Sequence, residues 1–355
     1  MRIAVDAMGG DHAPEALIEG VLLARGQGDA EILLYGDEGR TRKVLEQLGG
    51  AVPPNVRIVH APENIGMGEA GPMAIRKKRE ASLCMAMGAL AAGTADAVVS
   101  AGNSAAIVAT AKHFVGLIPG LRRPAMVAPI PTPGGKVLLL DVGAHPEAHG
   151  IHLAQSAALA QAYLKVTEGA PKTRVGLVNL GQEPVKGPKV VQRAHALLSR
   201  SRLNFVGNIE PHGLFGDQAD AVVCDGFTGN ILLKMIEGLS EALLQLLEAQ
   251  LDSRDGVTRE KLSQTFSRFQ RVHHYQNVGG APLLGIQKPV VVAHGRSRGP
   301  AVAGAVVLAS RLVQDGIFPR IAEELERDGV LAELKHHNAV LMLESLKTKW
   351  GFSPK

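Results

Sequence analysis

Glycine, asparagine, aspartate and histidine gather in short clusters, and most of these clusters directly follow an apolar run. The clusters are Asp6-Ala7-Met8-Gly9-Gly10-Asp11-His12, Ser100-Ala101-Gly102-Asn103-Ser104, Asp141-Val142-Gly143, Asn179-Leu180-Gly181, Gly207-Asn208, Asp225-Gly226-Phe227-Thr228-Gly229-Asn230 and His294-Gly295. Glycine lets backbone N–H groups come close to a ligand, and the N-terminus of a following helix favours an anion. One such cluster is an ordinary turn. Repeated along one edge of a sheet, they predict an extended polar cleft able to hold an anion.

Other motifs carry weaker chemistry. Gly66-Met67-Gly68-Glu69-Ala70-Gly71 fits a GxGxxG dinucleotide pattern. It starts well after the preceding strand, Pro72 follows it, and the acidic residue such a site needs about 20 residues on is missing. Arg76-Lys77-Lys78-Arg79 is either a solvated helix face or, in a cleft, a holder of phosphate or an acidic partner. His145, His149 and His152 have a spacing that puts two imidazoles on one helical face, but Pro146 and Gly150 interrupt the segment and no metal site is expected. Cys224 ends a strand beside the predicted cleft and reads as a buried strand residue, since no base is in view. A G-x-S-x-G nucleophile elbow is absent.

These clusters need a sheet to position them. Strands are predicted at Arg2–Asp6, Glu31–Tyr35, Val56–His60, Ala97–Ser100, Ala125–Ile130, Val137–Asp141, Arg174–Asn179, Asn204–Val206, Ala221–Cys224 and Val290–Ala293. Helices are predicted among them at Pro14–Arg25, Arg40–Leu48, Ser104–Val115, His152–Lys165 and Pro188–Ser199. Strands apolar throughout are covered on both faces, and strand–helix alternation gives a mostly parallel sheet wrapped by helices. The expected fold class is α/β, an αβα sandwich forming one domain over residues 1–350.

Within it, residues 230–275 are expected to form a projecting helical hairpin. Its first helix, Asn230–Leu251, is rich in leucine. The second sets Leu262, Phe266, Phe269 and Val272 on one stripe, with Arg259, Lys261, Arg268 and Arg271 on the other face. Such a helix suits a dimer contact, a core cover, a lipid surface or an acidic carrier.

Composition sets outer bounds. The chain has 355 residues, a formal charge of +4, 46% apolar residues and only 3% aromatics. Aliphatic side chains must therefore fill the core, and nucleic-acid binding by aromatic stacking is not expected. Mild basicity suits an anionic substrate, partner or membrane surface. Two cysteines in a chain this long indicate a reducing compartment. No signal peptide and no run of about 18 apolar residues is seen, so neither secretion nor a membrane span is expected.

Longer blocks carry a family resemblance. Val5–Glu15, Val99–Ala106, Leu138–Ala144, Val175–Gly187, Asn204–Glu210, Asp220–Lys234 and Gly279–Gly285, followed by His294-Gly295, resemble the bacterial phosphate acyltransferases in unchanged order. The resemblance implies a fold like that of phosphotransacetylases and a homodimer. It further implies transfer of a fatty acyl group from acyl-carrier protein to inorganic phosphate, for phospholipid synthesis. A cytoplasmic enzyme with peripheral contact at the inner face of the membrane is also implied. Ser104 stands where the family more usually has Thr, His145 where it has Asn, and Arg296 where it has a small residue.

Phosphate is itself the nucleophile in that reaction, so neither a cofactor nor a covalent enzyme intermediate is needed. The site must hold the anion, aim it at the thioester carbonyl and stabilise the oxyanion. Phosphate is placed among Gly9, Gly10, Asn103 and Ser104, with Thr228, Gly229 and Asn230 opposite. Lys186 and His12 are expected to neutralise charge, and His294 to donate to the oxyanion or the leaving thiolate. A short-chain phosphotransacylase acting on acyl-CoA is the rival enzyme. A non-catalytic membrane- or carrier-binding scaffold is the rival of another class, and the density of polar residues at strand ends counts against it.

Overall fold

A computed structural model describes residues 1–24, 30–49, 52–69, 71–170, 172–251 and 279–349. The chain divides into two compact units, the first made of residues 1–116 and 230–316, the second of residues 117–229 and the segment from Ile317 onward.

In the first unit the strands are β1 (Arg2–Asp6), β2 (Glu31–Gly36), β3 (Val56–His60), β4 (Ala97–Ser100), β10 (Ala281–Leu284) and β11 (Val290–Val292). They lie in the order β3-β2-β1-β4-β11-β10, and every pair is parallel except β10 with β11. The chain steps outward from β1 to β3 through α1 (Glu15–Ala24) and α2 (Glu38–Gly49). It returns to β4 through α3 (Gly71–Lys77) and α4 (Ser82–Ala92). Right-handed crossovers in opposite directions put these two helix sets on opposite faces of the sheet. Ile3, Ala4, Val5, Val98, Val99, Val290 and Val291 are fully buried, as strands covered on both sides must be. On one face α1 packs against α9 (Gly299–Gln314). That approach needs Gly20, where a Cβ would come within 2.4 Å of Val302.

The second unit holds β5 (Ala125–Thr132), β6 (Gly135–Leu140), β7 (Val175–Val178), β8 (Phe205–Ile209) and β9 (Ala221–Val223), in the order β5-β6-β9-β7-β8. An antiparallel β5–β6 hairpin opens it and the remaining pairs are parallel. Two crossover helices, α6 (Gly150–Glu168) and α7 (Lys189–Leu198), pack on each other. The later helices α10 (Ile317–Asp328) and α11 (Val330–Lys349) lie on α6. Lys165 of α6 pairs with Glu324 of α10 and lies 3.8 Å from Asp328. Leu139 and Leu140 are among the largest fully buried side chains, each contributing about 1.5–3 kcal/mol by leaving water.

The α/β class and the mostly parallel sheet agree with the sequence. Ala281–Leu284 is a strand the sequence did not predict. The leucine-rich helix, α8 (Gly226–Leu251), begins four residues before the predicted Asn230, so Thr228 and Gly229 are helical rather than in a loop. The second hairpin helix, with Arg259, Lys261, Phe266, Arg268, Phe269 and Arg271, lies outside the described residues. No single described helix is long and apolar enough to cross a membrane.

Candidate active site

In the first unit the loops after β1, β4 and β11 converge around one buried carboxylate. Asp6 closes β1 and accepts hydrogen bonds from the hydroxyls of Ser82, 2.6 Å, and Ser100, 2.7 Å, and from the Met8 N–H, 3.3 Å. Ser82 opens α4 and Ser100 closes β4, so one side chain ties three elements together. Burial raises the Asp6 carboxyl above its usual range, while the two serine hydroxyls and the Met8 amide pull it back. Gly9 lies so close that a Cβ would stand 2.5 Å from Asp6 Oδ2. Gly10 has φ 111°, a region glycine enters freely, and its neighbour Asp11 donates its N–H to the Gly295 carbonyl, 2.8 Å. Gly9, Gly10, His12, Asn103, Ser104 and His294 therefore share the carboxyl-end edge of one sheet, as predicted.

Their side chains do different work from that expected. Asn103 caps α5 (Ser104–Thr110), its Oδ1 accepting the Ala106 N–H at 3.1 Å. Its Nδ2 donates to the carbonyls of Met67, 2.7 Å, and Glu69, 2.9 Å. Both its amide donors go into holding the 66–69 turn on α5, while the neighbouring Ser104 side chain is exposed. Residues 66–69 form a turn pinned by Gly66 N–H to Glu69 Oε1, 2.7 Å, rather than the strand-to-helix turn of a dinucleotide site.

His294 has a partner the sequence reading missed. Its Nε2 meets the Lys234 ammonium, its Nδ1 accepts the Arg296 N–H at 3.1 Å, and Lys234 also reaches Glu237 Oε2 at 3.3 Å. Burial, then Lys234 and Arg296, push the imidazole down to about 4. At neutral pH it is therefore the neutral imidazole. Lys234 supplies the positive charge of this pair. Since α8 starts at Gly226, Asn230 and Lys234 are one turn apart on one helical face; that i,i+4 spacing was the available signal.

The second unit has a parallel arrangement. Asp141, just after β6, accepts backbone N–H groups from Met126, Gly143, Ala144 and His145 at 2.8–3.2 Å. Burial lifts this carboxyl to about 6 against the pull of those four amides. Against it packs the start of α8, where Gly229 is obligatory: a Cβ would come within 1.9 Å of the Asp141 carbonyl oxygen. Asp225 accepts the Thr228 N–H, 2.9 Å, and the Thr228 hydroxyl, 2.8 Å, so this hydroxyl is engaged in the first turn of α8. Cys224 is buried and its thiol is raised well above the usual range by burial, with Asp225 and Asp141 adding to it. That is a poor nucleophile.

Lys186 is exposed on the loop after β7. Asn179 Nδ2 holds its carbonyl at 3.1 Å, and Gly187 turns the chain with φ 78°. His149 and His152 do not form a ligand pair, because His152 Nδ1 accepts the His149 N–H at 3.1 Å and so caps α6. Among the described residues no group of three His, Cys, Asp or Glu side chains is placed to hold a metal.

Mostly parallel strands that end in glycine-rich, anion-suited loops define an α/β fold of the phosphotransacetylase type. A phosphotransacetylase from Streptococcus pyogenes has this fold, with a TM-score of 0.57 at 16% identity over 92% of this chain and 94% of that one. Sequence goes further than fold. Residues 1–320 match the family described as "Fatty acid synthesis protein". A phosphate acyltransferase from Syntrophobacter fumaroxidans is 58% identical over 99% of both chains. One from Desulforamulus reducens is 40% identical over 92% of this chain and 98% of its own. The chain belongs to the phosphate acyltransferase family, and is an acyltransferase.

Proposed function

We propose that the protein transfers a long-chain fatty acyl group from an acyl-carrier protein to inorganic phosphate, giving an acyl-phosphate for phospholipid synthesis. The observation that carries this reading is the loop edge of the first unit, where Asp6 orders glycine-rich backbone, Ser104 is exposed and Lys234 stands at His294, in a chain of this family. Phosphate held there attacks the thioester carbonyl directly. The new P–O–C bond forms, the carbonyl oxygen takes negative charge, and collapse of the intermediate expels the carrier thiolate, which takes a proton from solvent. Backbone N–H groups and lysine ammoniums stabilise the anionic intermediate without reorganisation. Lys186 and Asn230 are proposed to contribute to that stabilisation, and His12 to assist in neutralising phosphate.

The donor and the assembly are part of the same proposal. Phe227, Ile231, Met235, Leu239, Leu243 and Leu246 are all exposed and recur every three or four residues along α8. This stripe suits a homodimer contact, with peripheral membrane contact left to the basic and apolar residues that follow it in sequence. An acidic carrier is attracted by the net positive charge of the chain. The expected setting is cytoplasmic, beside the inner face of the membrane.

The test is release of carrier thiol from palmitoyl-carrier protein with and without phosphate, the acyl-phosphate being trapped by hydroxylamine. Phosphate-dependent release with trappable product supports the reading. Activity with acetyl-CoA but not with the palmitoyl carrier would replace it by the short-chain reaction. Silence with both substrates, alongside tight carrier or liposome binding, would replace it by the scaffold.

A further inference from the structure

A cleft of about 870 Å³ opens in the first unit and shares no lining residue with the loops described above. Its walls are α3, α4, α5 and the π-helical turn Ala111–Val115. Its size falls in the range of ligand clefts, about 300–1,000 Å³. Two glycines shape it. Gly71 lets α3 lie against α5, since a Cβ there would meet the Ala106 nitrogen at 2.6 Å. Gly88 leaves a gap in the α4 wall, for a Cβ there would meet nothing within 4 Å.

The lining has two characters. Ile75, Ala109 and Phe114 are apolar. Cys84 is buried, with its thiol pushed up to about 11 by burial first and then by Asp6 and Glu63, so it stays uncharged and adds to the apolar wall. At the mouth stand Arg76 and Arg79, exposed and without an ion pair among the described residues. Lys78, between them in sequence, is held elsewhere by Glu69 at 2.6 Å and the Asn64 carbonyl at 2.9 Å. The run of four cations is thus divided by the fold, and two guanidinium groups are left beside an apolar cleft. Guanidinium binds carboxylate or phosphate through paired N–H donors, while the apolar wall gains by covering a hydrocarbon tail.

We infer that this cleft is a binding site for an anionic amphiphile, with the head group held by Arg76 and Arg79 and the tail lying over Ile75 and Phe114 toward the gap at Gly88. An alkyl or acyl phosphate and a free fatty acid share this chemistry. The proposed product of the reaction is one such molecule, so the cleft would let product act back on the enzyme; that consequence rests on the proposed function, whereas binding itself does not.

The experiment is calorimetric titration of the full chain with dodecyl phosphate, below its micelle concentration and in saturating inorganic phosphate. Dodecanoate and dodecanol are titrated alongside. Saturable binding of one or both anions, weakened about tenfold or more in Arg76→Gln/Arg79→Gln and in Gly88→Leu, supports the site. The tighter anion identifies the head group. Both variants are expected to keep the parent melting temperature and phosphate-dependent thiol release. Equal binding by parent and variants overturns the inference, as does dodecanol binding as tightly as the anions. Binding lost in the variants of a chain that shows no acyl transfer would keep the cleft and sink only the proposed reaction.

Discussion

Asp6 and Asp141 each stand at the end of a buried strand and organise the loop that follows, but through different donors. Asp6 satisfies two serine hydroxyls and an amide, whereas Asp141 satisfies four amides. An Asp6→Ala change orphans buried donors at a cost of about 1–3 kcal/mol each, so urea unfolding should show a loss on the order of 3 kcal/mol with the m-value unchanged. Gly187→Ala places a Cβ 2.0 Å from Asn179 Oδ1 at φ 78°, and so should displace the loop that carries Lys186. The expected outcome is acyl transfer reduced by about tenfold or more with the circular dichroism spectrum retained. The sequence revealed where such glycines cluster but not what each one touches. Ser82 shows why: it lies 76 residues from the aspartate it bonds, and no local spacing records that contact.

At the scale of elements, buried strands were legible because they are apolar throughout, and their limits shifted by only a residue or two for most. The misreadings have local causes. Gly226 and Gly229 look like helix breakers, yet Asp225 caps α8 and both glycines are needed for close packing on the Asp141 loop. β10 is short and carries Pro282, a residue that strands seldom hold away from an edge or bulge, and it pairs antiparallel with β11. In α6 the N-terminus is capped by a histidine, which makes it sensitive to acid. His152 is pushed down to about 4, first by burial and then by Arg123 and His149. Between about 4 and its unfolded value of 6.5 the unfolded chain binds more protons at this residue than the folded one. Its contribution to stability is therefore fully present above 6.5 and is lost as pH falls toward 4. His152→Gln should flatten this part of the melting-temperature profile relative to the parent, and parallel profiles would refute the assignment.

For the molecule as a whole, the exposed stripe on α8 is the feature most in need of a partner, since an apolar face of this length is rarely left in water. Sedimentation of the full chain should give twice the mass of one chain, and Met235→Glu with Leu239→Glu should return it to a single-chain mass. The sequence by itself determined the α/β class, the family and the strand-end clusters that carry the chemistry, because periodicity, composition and long blocks of motif are local properties. Tertiary structure alone decided which polar groups remain free. Asn103 and Thr228 carry ligand-binding chemistry, yet their hydrogen bonds are taken up inside the fold, while Lys234 was brought to His294 from 60 residues away. The physical reason is that a polar atom has only a few hydrogen bonds to give, and neighbours remote in sequence determine whether any are left for a substrate.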